Sequence, residues 1–230
     1  MVFTVVAKVQ FSPSTVSWVA TRSLPVGLSG HAVAAATLAG AAPTSVVYAT
    51  GGADSTNAPR DSVLYATVST TGALGAWTKT TVLPANVAFA ASVVATPEDS
   101  PVTGASYLYI IGGDSTAGGN PVATVYRGTL GATGAVTGWT TTTALPAPIH
   151  SAGAVIFNGN VYVVGGSGSG NAPVAAVYRS AINSDGTLGQ WQTLPTSLPF
   201  ARSYFGFGIN GTFLYALGGD SGTVARTTRH

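Results

Sequence analysis

Apolar and polar positions along this chain alternate in short runs, and four of the apolar runs end in a pair of glycines. They are Val47-Tyr48-Ala49-Thr50-Gly51-Gly52, Leu108-Tyr109-Ile110-Ile111-Gly112-Gly113, Val161-Tyr162-Val163-Val164-Gly165-Gly166 and Leu214-Tyr215-Ala216-Leu217-Gly218-Gly219. The pairs begin 61, 53 and 53 residues apart. Recurrence on this scale marks an array of like supersecondary units.

Each pair sits inside a longer pattern. In the third unit, His150 to Asn158 predicts a first strand, Asn158-Gly159-Asn160 a tight turn, and Val161 to Gly166 a second strand. A Gly/Ser loop leads to a third strand, Val174 to Asn183. The turn Ser184 to Gly189 follows, centred on Asp185-Gly186, and Trp191 opens a fourth strand that ends in Leu-Pro. Short strands joined by turn-rich segments predict an antiparallel meander. The first full unit reads the same way, with strands over His31 to Gly40, Ser45 to Gly52, Ser62 to Val68 and Trp77 to Leu83. The second has a longer first join, Thr96 to Ala105, and Trp139 opens its fourth strand.

The ends are out of phase with the units. Phe3 to Val9 aligns with a third strand and Trp18 to Leu24 with a fourth. At the other end, Ser203 to Asn210 and Thr212 to Gly219 align with first and second strands, and Thr223 to Arg229 with a shortened third. The pattern predicts 17 strands in one domain, 1–230, with units near 1–25, 26–84, 85–146, 147–199 and 200–230. The two part units are expected to join in one composite blade of a closed ring. One strand is then in surplus, and a spare strand offers unpaired backbone groups to another chain. Phe3, Val5, Val224 and Arg226 are the expected assembly residues.

The recurring motifs resemble those of Kelch repeats: the apolar strand into Gly-Gly, the tyrosines Tyr65, Tyr126 and Tyr178, the tryptophans Trp77, Trp139 and Trp191, and Leu-Pro. The inserted turn Asp185 to Trp191 looks like that of bacterial or phage Kelch-like repeats. The resemblance implies an all-β, Kelch-like β-propeller, here of about four blades, each a four-stranded antiparallel meander.

Composition adjusts this picture in three ways. Charged residues are only 7% of the chain, against about 25% in an ordinary soluble domain, so the surface is expected to be Thr, Ser, Asn and Gly. A formal charge of +2 argues against a nucleic-acid partner and removes a barrier to self-association. There is no cysteine, which excludes disulfides, thiolate metal sites and cysteine nucleophiles. The longest nearly apolar run, Ala32 to Ala42, is too short to cross a bilayer, and Met1 to Val9 does not read as a signal peptide.

Candidate chemistry gathers on one rim of the expected ring. Asp54, Asp114 and Asp220 follow glycine pairs, and His31, His150 and Arg202 lie near the starts of inner strands. Such a rim suits a ligand. A ring of carboxylates would suit calcium, but the third unit has Ser167 at that place, and the preferred reading of an aspartate after Gly-Gly is the cap of its own turn. Arg127, Arg179 and Arg226 recur at one position, where a long stem covers a blade edge. The four tryptophans, Trp18 among them, are expected to pack blade on blade. No catalytic residues, phosphate loop or zinc motif stand out, so no enzyme activity and no resident cofactor are expected. The expected role is structural or adhesive: a self-assembling subunit of an extracellular filament or virion surface appendage. Soluble carbohydrate binding, with surface glycans as partners, and an enzyme of unrecognised type are the other readings.

Overall fold

The computed structural model describes residues 7–12, 15–39, 44–117 and 119–222. The chain is all-β and antiparallel throughout, with one 3-10 turn at Ser169–Asn171. Three four-stranded meanders fill its middle. The first holds β3 (Ala32–Leu38), β4 (Thr44–Thr50), β5 (Val63–Val68) and β6 (Thr78–Lys79). The second holds β7 (Ala91–Ala95), β8 (Ser106–Ile111), β9 (Val125–Leu130) and β10 (Val136–Thr142). The third holds β11 (Gly153–Phe157), β12 (Asn160–Val164), β13 (Val177–Ala181) and β14 (Gln192–Thr193). Two hairpins flank them: β1 (Ala7–Ser12) with β2 (Thr15–Ala20), and β15 (Gly206–Asn210) with β16 (Phe213–Leu217).

The expected strands are found unit by unit, with trimmed ends. Fourth strands shrink to two residues in the first and third meanders. Among the described residues the expected composite blade is not formed. Among the described residues β1 and β2 pair only with each other, as do β15 and β16. Among the described residues the segment aligned with a third strand is paired over Ala7–Ser12 and so runs past the expected end at Val9. The surplus strand Thr223 to Arg229 and the residues Phe3, Val5, Val224 and Arg226 lie outside the described residues.

Successive units are fastened by three repeated devices. The first strands β3, β7, β11 and β15 lie side by side in chain order. The second glycine of each pair donates its backbone N–H to a carbonyl at the entry of the next unit: Gly52 to Val87, Gly113 to Ile149 and Gly166 to Arg202, at 2.8–2.9 Å. These glycines have φ of 93° to 100°, and a Cβ on Gly113 would lie 2.5 Å from Val87 and 2.7 Å from the Ala88 carbonyl. Here glycine is required both by conformation and by close approach.

The third device uses tryptophan. The indole N–H groups of Trp77, Trp139 and Trp191 donate to the carbonyls of Arg22, Thr81 and Thr143, at 3.2, 2.9 and 2.9 Å. Each acceptor lies four positions beyond the tryptophan of the preceding unit, Trp18, Trp77 or Trp139. Trp77, Trp139 and Trp191 are thus each tied to the preceding unit by a hydrogen bond in register with the repeat.

Apolar cores lie between neighbouring meanders. Val46, Tyr48, Val63, Leu108 and Ile110 fill the first interface, and Tyr109, Ile111, Val125, Val161 and Val163 the second. Each interface also receives a turn. The hydroxyl of Tyr48 donates to the Gly134 carbonyl at 2.7 Å, and that of Tyr109 to the Gly186 carbonyl at 2.6 Å. Burial pushes both phenols above the ordinary tyrosine pKa. The inserted turn, Thr133-Gly134 in the second unit and Asp185-Gly186 in the third, thus closes the apolar layer of the unit before it.

Candidate functional site

Asp114 and His150 are brought together at one end of the sheets. Asp114 follows Gly112-Gly113, and its backbone makes a two-way bridge with Ala88. That bridge turns its side chain towards the next unit, where His150 makes the same kind of bridge with Ser167. Both residues are buried, Asp114 at 5% and His150 at 1% exposure. His150 Nδ1 lies 3.6 Å from Asp114 Oδ2 and 3.0 Å from the Ser151 hydroxyl, while Nε2 faces Asn171 Oδ1 at 3.1 Å. Since an amide oxygen only accepts, Nε2 carries a proton and donates to Asn171. Desolvation raises the Asp114 carboxyl above the usual aspartate range, and the nearby His150 opposes that shift. Asp114 Oδ1 is buried without a hydrogen-bond donor.

Two aromatic residues complete the cluster. Phe89, His150 and Tyr204 meet edge-on, with ring centroids 5.8 to 6.5 Å apart. Phe89 and Tyr204 occupy the same repeat position as Gly30 and Ser151, and all four have φ between 53° and 57°. The left-handed region suits the glycine; for the bulky aromatics it costs about 1–3 kcal/mol each, the kind of strain that gathers at functional sites. A cavity of about 250 Å³ opens here, bordered by Asp114, Phe89, Tyr204, Asn57, Asn171 and Thr116.

The other expected rim residues do not join this cluster. Asp54 lies one position out of phase: Ala53, not Asp54, is the counterpart of Asp114. Its carboxylate accepts from the Thr56 N–H and hydroxyl and from the Ala58 N–H, and pairs with Arg60. Those bonds, the Thr56 hydroxyl first, hold it well below the usual carboxylate range. Asp220 is in phase, bridging Ser203, but its carboxylate caps a turn by accepting from the Gly222 N–H at 2.8 Å. Both therefore behave as turn caps. His31 is two positions out of phase with His150; its Nδ1 is buried without a partner, and burial lowers its pKa against the opposing Leu28 backbone. Among the described residues no three His, Asp or Glu side chains gather to hold a metal ion, so the carboxylate ring suited to calcium is not assembled.

Arg202 belongs to a different place. Its guanidinium Nη1 donates to the Ala216 and Gly218 carbonyls at 3.4 and 3.1 Å. In the third unit the N–H of Gly165, the counterpart of Gly218, bonds to Ala176 just before β13. Those carbonyls of β16 thus face the side on which a third strand runs. Arg202 supplies donors on a side where no described strand runs. Of the recurring arginines, Arg127 donates to the Asp185 carbonyl at 2.7 Å and lies 5.0 Å over the Tyr107 ring, and Arg179 donates to Gln192 at 2.6 Å. Arg127 thus reaches the turn of the next unit and Arg179 the adjacent strand β14 of its own sheet; Arg226 lies outside the described residues.

The sequence reading missed Phe89, Asn171 and Tyr204. One signal for the aromatics was present: each stands where the first unit has Gly30.

No family model and no curated protein matches the chain. Among solved structures it is similar to YjhT, with a TM-score of 0.57 and 17% identity over 80% of this chain and 51% of YjhT. The likeness is one of fold. The chain spans about half the length of that neighbour.

Proposed function

We propose that this chain is a Kelch-like β-propeller subunit of about four blades that assembles with copies of itself, in a structural or adhesive role such as an extracellular filament or virion appendage. The observation that carries the reading is the state of β16. The motif Leu-Tyr-x-x-Gly-Gly is the same in β8 and β16, yet every residue of β8 is buried, whereas Phe213, Leu214, Tyr215 and Leu217 are 68, 43, 46 and 64% exposed. Strand β8 has a strand on each side and a meander on each face. Among the described residues strand β16 has β15 alone beside it.

Among the described residues this half unit has no third or fourth strand. The chain carries one hairpin in that phase, β1–β2, and it is not spent on β15–β16. In our reading the hairpin of one copy completes the half unit of another, an exchange of equivalent elements between protomers. Two further features support it. The series of tryptophan acceptors runs on to Pro195, four positions past Trp191, and the tryptophan in phase with it is Trp18. Beside Pro195 lies an apolar groove of about 440 Å³, bordered by Tyr162, Leu194, Leu198, Phe207, Leu214 and Leu217. Tyr162 is the counterpart of Tyr48 and Tyr109, and the groove is where the turn that receives its hydroxyl belongs. Covering the exposed side chains of β16 is worth about 1.5–3 kcal/mol each.

Electron microscopy of the purified full chain tests the assembly. Filaments, or closed particles built from more than one chain, are expected. A field of single, separate small particles at micromolar concentration overturns the reading.

A further inference from the structure

The cavity at Asp114 stands apart from the assembly surface, and its chemistry points elsewhere. One of its walls is a carboxylate 5% exposed, with one oxygen lacking any donor. A buried acceptor left this way costs free energy comparable to a lost hydrogen bond, more when it is charged. Among the described residues no Lys or Arg borders the cavity, so no side chain there carries a permanent positive charge. His150 approaches only Oδ2, at 3.6 Å, and its ring nitrogens already face Ser151 and Asn171. Around the carboxylate stand the rings of Phe89 and Tyr204, whose faces attract cations.

We propose that this cavity binds a small organic cation, a protonated primary amine whose N–H groups supply the donor that Asp114 Oδ1 lacks, with Phe89 and Tyr204 against its alkyl portion and Asn57 and Asn171 at the mouth. A metal ion is a poor match, because Asp114 and His150 are not joined by a third ligating side chain. A quaternary ammonium carries the charge without the N–H donor. A neutral sugar brings hydroxyl donors but no charge to balance the carboxylate. The amine alone answers both needs, and a cavity of about 250 Å³ admits one of a few carbon atoms.

Titration calorimetry of the full chain with ethylammonium, tetramethylammonium and glucose at neutral pH tests this, with the His150 ring proton resonances followed in parallel. Saturable ethylammonium binding is expected, at least tenfold tighter than that of tetramethylammonium or glucose, with the His150 signals shifting along the same isotherm. Asp114→Asn keeps the size of the side chain and is expected to weaken ethylammonium at least tenfold while circular dichroism shows an unchanged fold. The proposal is overturned if folded wild-type protein does not bind ethylammonium, if glucose or tetramethylammonium binds as well, or if Asp114→Asn leaves the affinity as it was. If Asp114→Asn does not fold, Asn171→Ala and Phe89→Gly replace it, and unchanged affinity in both overturns the proposal.

Discussion

Trp139 donates its indole N–H to the carbonyl of Thr81, 2.9 Å away in the neighbouring meander, and the same side chain covers Gly128. A Cβ at Gly128 would lie 2.8 to 3.0 Å from the Trp139 ring, so the glycine makes room for the tryptophan. Replacing Trp139 with Phe removes the hydrogen bond and some contact area. A loss of about 1–2 kcal/mol is expected. In a chain of this size that is a fall in melting temperature of about 2–8 °C, read by calorimetry. Gly128→Ala is expected to destabilise as well, through overlap with the ring.

The turn that closes each interface gives a second comparison. Tyr109→Phe leaves the Gly186 carbonyl without its buried donor and is expected to cost about 1–3 kcal/mol. Gly186→Ala combines a φ of 78° with a Cβ 2.4 Å from the Tyr107 ring, and is expected to cost at least as much. Tyr162→Phe differs. In a dilute, monomeric preparation no turn stands opposite that tyrosine, so a change within about 0.5 kcal/mol is expected. Chemical denaturation of the three variants checks the order.

How far these relationships can be read in the sequence depends on their range. The meanders follow from local signals: period-two runs, Asn-Gly and Asp-Gly turns, and paired glycines. The tryptophan position was legible because it recurs, although its acceptors four positions along the neighbour were not. The rim was legible only in part. Asp114 and His150 meet because their bridge positions are in phase, whereas Asp54 and His31 miss by one and two residues; the first offset is visible when Gly51-Gly52-Ala53-Asp54 is set against Gly112-Gly113-Asp114, while the second is hidden by the unequal joins between first and second strands. Phe89 and Tyr204 escaped because nothing in an aromatic side chain announces a left-handed backbone. The fate of the end hairpins depends on how the units curve, and that is set by packing across whole sheets.

Asp114 makes stability depend on pH in a definable direction. Its folded pKa is raised above the ordinary value of 3.8, by desolvation first, with His150 pulling the other way. The folded state therefore holds its proton more tightly than the unfolded chain. The contribution is fully present below 3.8 and is lost as pH rises through the raised value. Melting temperatures of wild type and Asp114→Asn are expected to converge at the acid end of that window. The wild type should fall behind the variant as pH rises through it. A wild type that gains on the variant over that range contradicts the assignment.

Arg202 is expected to restrain assembly. Its guanidinium bonds the two β16 carbonyls that an incoming third strand would use, at lengths of 3.1 and 3.4 Å that a strand would improve on. Arg202→Ala is expected to self-associate at several-fold lower concentration than wild type, as read by light scattering. Association unchanged or weakened would show that the guanidinium does not guard this edge.

The half unit β15–β16 is the account's central feature, and sedimentation velocity tests its completion by another copy most directly. The full chain, 22.9 kDa, is expected to sediment as an oligomer at micromolar concentration, and a folded variant lacking residues 1–20 as a monomer. A full chain that sediments as a monomer, or a truncated chain that assembles as well as the full one, would contradict it.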